Sequence, residues 1–193
     1  MKTKLVATVI LAGMMFFAAC NNAHKTSADA AIKSAQTAYA AVADEANLYV
    51  PDQARNVQAA IQSAKDSFDK GDYDVADDAS QTLSSKVQDL TKAADAKKAD
   101  LTAQWNDLSG SVPALVTEDQ KKVDALTRSH KLPKGAADSL ASAKQGWADA
   151  SAAFASGKVP DAVTQASEAK ANLTALQTTL GIKPKAAPPE PNS

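Results

Sequence analysis

Cys20, His24 and His130 carry the only thiol and the only imidazoles in this chain of 193 residues. A single cysteine excludes a disulfide framework and a thiolate-built zinc site. Nucleophilic catalysis needs a base near a nucleophile, and the chain offers only two poorly placed histidines. His130 closes an apolar-periodic stretch, where an imidazole suits the negative end of a helix dipole. His24 reads as part of a solvated spacer. The carboxylates Asp72, Asp74, Asp77 and Asp78 lack the ligand spacing and turn glycine of a calcium loop, and read as favourable charge at a helix N-terminus. No glycine-rich phosphate cradle, Gly-x-Ser-x-Gly elbow or His-Glu-x-x-His helix occurs. The expectation is a non-enzyme with no catalytic residue, metal or cofactor. Lys and Arg total 21 against 22 Asp and Glu, with Arg55 and Arg128 the two arginines, so the basic footprint of a nucleic-acid binder is missing. Trp105 and Trp147 fall on apolar stripes as core residues would. They also mark where a ligand or partner groove would form.

The start of the chain reads as an address. Lys2 and Lys4 precede an apolar run from Leu5 to Phe17 and then Ala18-Ala19-Cys20, the layout of a secretory signal. The run is well short of the ~20 residues that span a bilayer as a helix. With the sole cysteine placed after two small residues, Phe17-Ala18-Ala19-Cys20 resembles the lipobox of bacterial lipoproteins, although Phe17 stands where that family usually has leucine. The resemblance implies removal of residues 1–19 and lipid on Cys20 as diacylglyceryl plus an N-acyl chain. One acyl chain anchors marginally, and two or more anchor firmly. Asn21 in place of aspartate after the cysteine implies an outer-membrane destination facing the periplasm. Residues 20–27 are expected to be a lipidated tether.

Alanine accounts for 43 residues, while Gly and Pro number 7 and 8. With so few β-branched and aromatic residues, the chain is expected to be helical. Ile32, Ala35, Tyr39, Val42, Ala46 and Tyr49 alternate steps of three and four, and Val57, Ile61, Ala64 and Phe68 continue the rhythm after Pro51. Gly71 ends that helix. From Asp72 to about Leu108 nothing in the sequence signals a break, and Leu83, Val87, Leu90, Ala94, Lys97, Leu101, Trp105 and Leu108 share a stripe. Lys97 interrupts it, where one packing partner is expected to hand over to another. Ser109-Gly110-Ser111-Val112-Pro113 reads as a break before a fourth helix carrying Val116, Val123 and Leu126 to about Lys131. A fifth, after Pro133, carries Ala136, Leu140, Ala143, Trp147, Ala150 and Phe154. A sixth carries Val159, Ala162, Ala166, Ala169, Leu173, Leu176 and Leu180. The mean period of about 3.5 favours lengthwise packing.

These elements predict an all-α fold: an elongated antiparallel bundle of about six helices, as two three-helix units sharing one long central helix. The bundle should occupy 28–181, and the Pro-rich 182–193 should form a disordered tail. Pro51…Phe68-x-x-Gly71-Asp72-Tyr73-x-x-Ala76 aligns with Pro133…Phe154-x-x-Gly157-Lys158-Val159-x-x-Ala162, which suggests an internal duplication of 28–108 and 113–181. Phe68-x-x-Gly71-Asp72-Tyr73-x-x-Ala76, preceded by Tyr49-x-Pro51, resembles the helical hairpin of small bacterial envelope lipoproteins whose domain has no assigned function. Trp105-x-x-Leu108…Val112-Pro113 and Leu132-Pro133-Lys134-Gly135 share that likeness. The hairpin junction is more weakly similar to tetratricopeptide repeats, lacking their 34-residue period. The resemblance implies a helical fold in the cell envelope and brings no activity or site residues. The resulting expectation is a membrane-anchored, non-enzymatic structural or adaptor module whose partner is an envelope protein or the cell wall. The alternative is a binding module for a small hydrophobic or peptide ligand in an inter-helix slot.

Overall fold

The computed structural model describes the backbone of residues 4–182 and the side chains of residues 23–182. The expected lipid attachment on the Cys20 side chain and most of the 182–193 tail therefore fall outside the described residues. Within them the fold is all-α, with α1 Lys4–Tyr49, α2 Pro51–Lys70, α3 Tyr73–Gln81, α4 Leu83–Arg128, α5 Ala136–Ala155 and α6 Val159–Thr179. The chain divides into two compact units, 1–97 and 98–193. The division falls inside α4 at Lys97, the residue that interrupts the apolar stripe.

The first unit is built on alanine. Ala28, Ala46, Ala54, Ala64 and Ala76 are each 0% exposed, and Ile32, Val57, Ile61, Leu83, Val87 and Leu90 fill the space between their helices. A core position occupied by a methyl group lets helix backbones approach closely, so a chain poor in large apolar residues still makes a dry interior. Val50 alone separates α1 from α2, at φ −140° and ψ 56°. The ring of Pro51 drives the preceding residue out of the helical region, and proline itself fits the first turn of the next helix. Val50 N–H still donates to Ala46 O at 2.8 Å, and Ala54 N–H to Val50 O at 3.0 Å, so the reversal leaves little backbone unpaired.

In the second unit every residue of the expected α6 stripe is buried, from Val159 and Ala162 to Leu176 and Leu180. On α5 Ala136, Leu140, Ala143 and Ala150 are buried with them. The turn from α2 to α3 and the turn from α5 to α6 have the same backbone construction. Gly71 N–H donates to Phe68 O and Asp72 N–H to Ser67 O, both at 3.0 Å; Gly157 N–H donates to Phe154 O at 2.9 Å and Lys158 N–H to Ala153 O at 3.0 Å. The glycines stand at φ 86° and 78°. These left-handed residues close the helix end by pairing its last carbonyls, and glycine adopts that conformation without strain.

Two expected boundaries are corrected. The helix expected from Asp72 to Leu108 is interrupted at Thr82, between α3 and α4. Hydroxyls crowd this point: Ser80 Oγ donates to Asp77 O, Thr82 Oγ1 to Ala79 O and Ser85 Oγ to Thr82 O. Side-chain donors on three carbonyls within six residues compete with the helical ladder and bend it. Conversely, the break expected at 109–113 is absent, and α4 passes through Pro113 without ending. Leu108 at 8% exposure and Val112 at 0% hold the turn before the proline on the core, and Val123 at 6% holds the helix after it. Ser109 Oγ and Ser111 Oγ return to the carbonyls of Asn106 and Leu108 instead of opening a new helix. Tertiary burial thus outweighs the ~3 kcal/mol that an interior proline costs.

Candidate functional site

The two tryptophans meet. Trp105 on α4 and Trp147 on α5 stack with ring centroids 5.3 Å apart at 10°, and Trp105 also stacks on Phe154 at 4.4 Å and 8°. Trp147 and Phe154 are seven residues apart on α5, about 10.5 Å along a helix, which is the room two stacking distances need. The Trp105 indole is therefore the filling of a three-ring sandwich and is 7% exposed, while its two outer partners are half-buried. The seven-residue spacing of α5 and the position of Trp105 on the α4 stripe produce this arrangement directly.

The same α4 stripe carries a residue that the apolar reading passed over. Asp119 stands three residues after Val116 and four before Val123, and it is 0% exposed. Neither of its carboxyl oxygens has a hydrogen-bond partner. Burial pushes its pKa above the ordinary carboxylate range; the facing Gln177 amide of α6 opposes the rise and the neighbouring Glu118 charge adds to it. Gln177 is itself buried at 8% exposure, and its Nε2 leans toward Glu118 Oε2 at 3.5 Å. A carboxylate at a core-facing heptad position was the signal available in sequence.

In the first unit, residues 20–27, expected to be a tether, lie within α1 and lead into the buried Ala28. His24 is no solvated spacer: its Nδ1 lies 2.8 Å from Asp77 Oδ2, and its Nε2 lies 3.8 Å from Asp74 Oδ1. Asp77 is 6% exposed, so it is a packed side chain rather than the solvated N-terminal charge expected of the 72–78 cluster. The hydrogen bond to Asp77 raises the His24 pKa above 6.5, and the same bond lowers that of Asp77. Lys25 Nζ lies 5.3 Å from the centre of the Tyr73 ring, a second link between the same helices. With 53 residues between them, His24 and Asp77 carry no local pattern that pairs them.

His130 stands two residues past the end of α4 and closes it through its backbone. It stands at φ 56°, with His130 N–H donating to Thr127 O at 3.0 Å and Lys131 N–H to Leu126 O at 2.9 Å. This is the construction of the Gly71 and Gly157 turns with histidine in glycine's place.

Among the described residues no group of three His, Cys, Asp or Glu is arranged to hold a metal ion. A groove of about 500 Å³ runs between the start of α5 and the end of α6, with small and polar walls that include Ser139, Ser142, Asn172 and Ala175. Trp105 and Trp147 do not line it. Comparison with protein-family models, curated proteins and solved structures finds no match to this chain. The fold and site geometry together define an all-helical protein of two alanine-cored units.

Proposed function

We propose that this chain is a lipid-anchored bacterial envelope protein that works as a non-enzymatic structural or adaptor module. One observation carries the reading: the only cysteine stands after a basic start, an apolar run and two small residues, in Phe17-Ala18-Ala19-Cys20. Lipid on Cys20 attaches the two helical units to the membrane, with the outer membrane as destination and the periplasm as the compartment they face. No helix among the described residues is long and apolar enough to cross a membrane. The large aromatics of the second unit are spent on one another, which leaves the polar helix faces as the surface available to an envelope protein or cell-wall partner. Membrane fractionation of cells making the wild-type chain and Cys20→Ala tests the anchor. The wild type sediments with the membrane and the variant accumulates as precursor or in soluble fractions; identical, fully soluble behaviour of both overturns the reading. Crosslinkers placed on exposed helix faces in living cells test the adaptor role, which fails if no envelope component is captured from any face.

A second reading has the α5–α6 groove in its favour. Its volume of about 500 Å³ is within the range of ligand sites, and walls that mix Ser139, Ser142 and Asn172 with Ala136 and Leu176 suit a small hydrophobic or peptide ligand.

A further inference from the structure

We propose that His24 and Asp77 form a proton-controlled latch: closed, it docks the segment before Ala28 on α3 as a rigid stem, and open, it frees that segment as a tether. The latch is a property of the first unit alone. Its consequence for the distance between the membrane and the helices rests on the lipid-anchor reading, because His24 follows Cys20 by four residues.

The geometry is specific. Asp77 is packed against the segment with 6% exposure and offers Oδ2 to His24 Nδ1 at 2.8 Å. The charged groups facing the imidazole from α3 are the acids Asp74, Asp77 and Asp78. On its own helix the nearest cation, Lys25, is drawn over the Tyr73 ring. On α2 the acids Asp66 and Asp69 are taken by Gln62 and Lys65. Protonated His24 therefore meets net negative charge, and neutral His24 keeps one hydrogen bond and loses the ion pair.

The sign of the pH dependence follows from both partners. His24 has a raised pKa in the folded state, so its contribution is complete below about 6.5 and is lost as pH rises through the raised value. Asp77 has a lowered pKa, so its contribution is complete above about 3.8 and is lost as pH falls through the lowered value. The latch is tightest between those limits and opens on the alkaline side first. The Lys25–Tyr73 contact does not involve the imidazole, so it holds the segment loosely when the ion pair is gone.

The test is amide hydrogen exchange and histidine NMR on the full chain in detergent micelles, from pH 5 to 9, with exchange expressed as protection factors. His24 is expected to titrate above 6.5, and protection of residues 23–28 to fall as pH rises past it. The fall is about tenfold for each unit by which the His24 pKa stands above its ordinary value, while protection in α2 stays constant. Asp77→Asn should lower the His24 pKa toward its ordinary value, with Asp74 and Asp78 still facing the ring, and weaken the pH dependence. Because Asp77 is packed, the exposed-side variant His24→Gln provides the second arm, with low, pH-independent protection of 23–28 and an intact fold. An ordinary pKa for His24 in the wild type, or equal protection of 23–28 at pH 6 and pH 9, overturns the latch. The state of Cys20 is read separately by mass, so loss of the anchor reading and loss of the latch are distinct results.

Discussion

Replacing Asp119 should make the second unit more stable, although it is among the most buried residues of the protein. The carboxyl is 0% exposed with both oxygens unpartnered. A buried polar group left without a partner costs about 1–3 kcal/mol, and a buried Leu side chain contributes about 1.5–3 kcal/mol. Leucine is larger than aspartate, and accommodating it in a filled core takes back about 1–3 kcal/mol. The net expectation for Asp119→Leu at pH 7 is a gain of about 2 kcal/mol. For a unit of roughly 100 residues that is about 10 °C in Tm. Asp119→Asn, close to isosteric, removes the charge alone. Because burial raises the Asp119 pKa in the folded state, the folded chain holds its proton where the unfolded chain has released it. Stability of the wild type therefore falls as pH rises from about 3.8 through the raised value, and the advantage of Asn over Asp is largest at pH 7 and vanishes at low pH. Trp105 and Trp147 are the only tryptophans and both lie in this unit, so thermal unfolding followed by tryptophan fluorescence reports it selectively. Asp119→Asn less stable than wild type at pH 7, by the same margin as at pH 4, would show that the carboxylate is a required partner and that the reasoning fails.

His130→Gly should stabilise the second unit by about 1 kcal/mol in the same fluorescence assay, because glycine relieves a left-handed residue at a helix C-terminus. Gly157→Ala, at φ 78°, should cost a similar amount although nothing lies within 4 Å of the added methyl group. Gly110→Ala, in open space on α4, should add about 1 kcal/mol, and Pro113→Ala up to about 3 kcal/mol through the restored helical hydrogen bond. Trp105→Ala should cost about 3–5 kcal/mol and shift the remaining Trp147 emission to the red, since Trp147 loses its stacking partner.

Much of this architecture was legible because alternating steps of three and four are a direct consequence of one face of a helix being buried. The α6 stripe from Val159 to Leu180 is buried throughout, and Lys97, the charge that interrupts the apolar stripe between Ala94 and Leu101, sits at the division between units. The glycines at 71 and 157 announced their turns because only a residue without a Cβ adopts a positive φ freely. Local signals failed where packing or competition decided the outcome. Pro113 reads as a helix start, but burial of Leu108 and Val112 carries α4 through it. The hydroxyls of Ser80, Thr82 and Ser85 carry no apolar period, yet they open a break that periodicity smooths over. The His24–Asp77 contact links positions distant in sequence and leaves no trace in either segment. Asp119 lay on the apolar stripe in plain view, and its polarity hid it from a search for apolar positions.

The membrane anchor stands on what becomes of Cys20. Intact-mass and peptide mass spectrometry of the chain purified from the membranes of its own host gives the most direct reading. The expected product begins at Cys20 and carries diacylglyceryl and N-acyl groups. A mature product beginning at another residue, with the Cys20 sulfur unmodified, would contradict the anchor and the envelope role built on it.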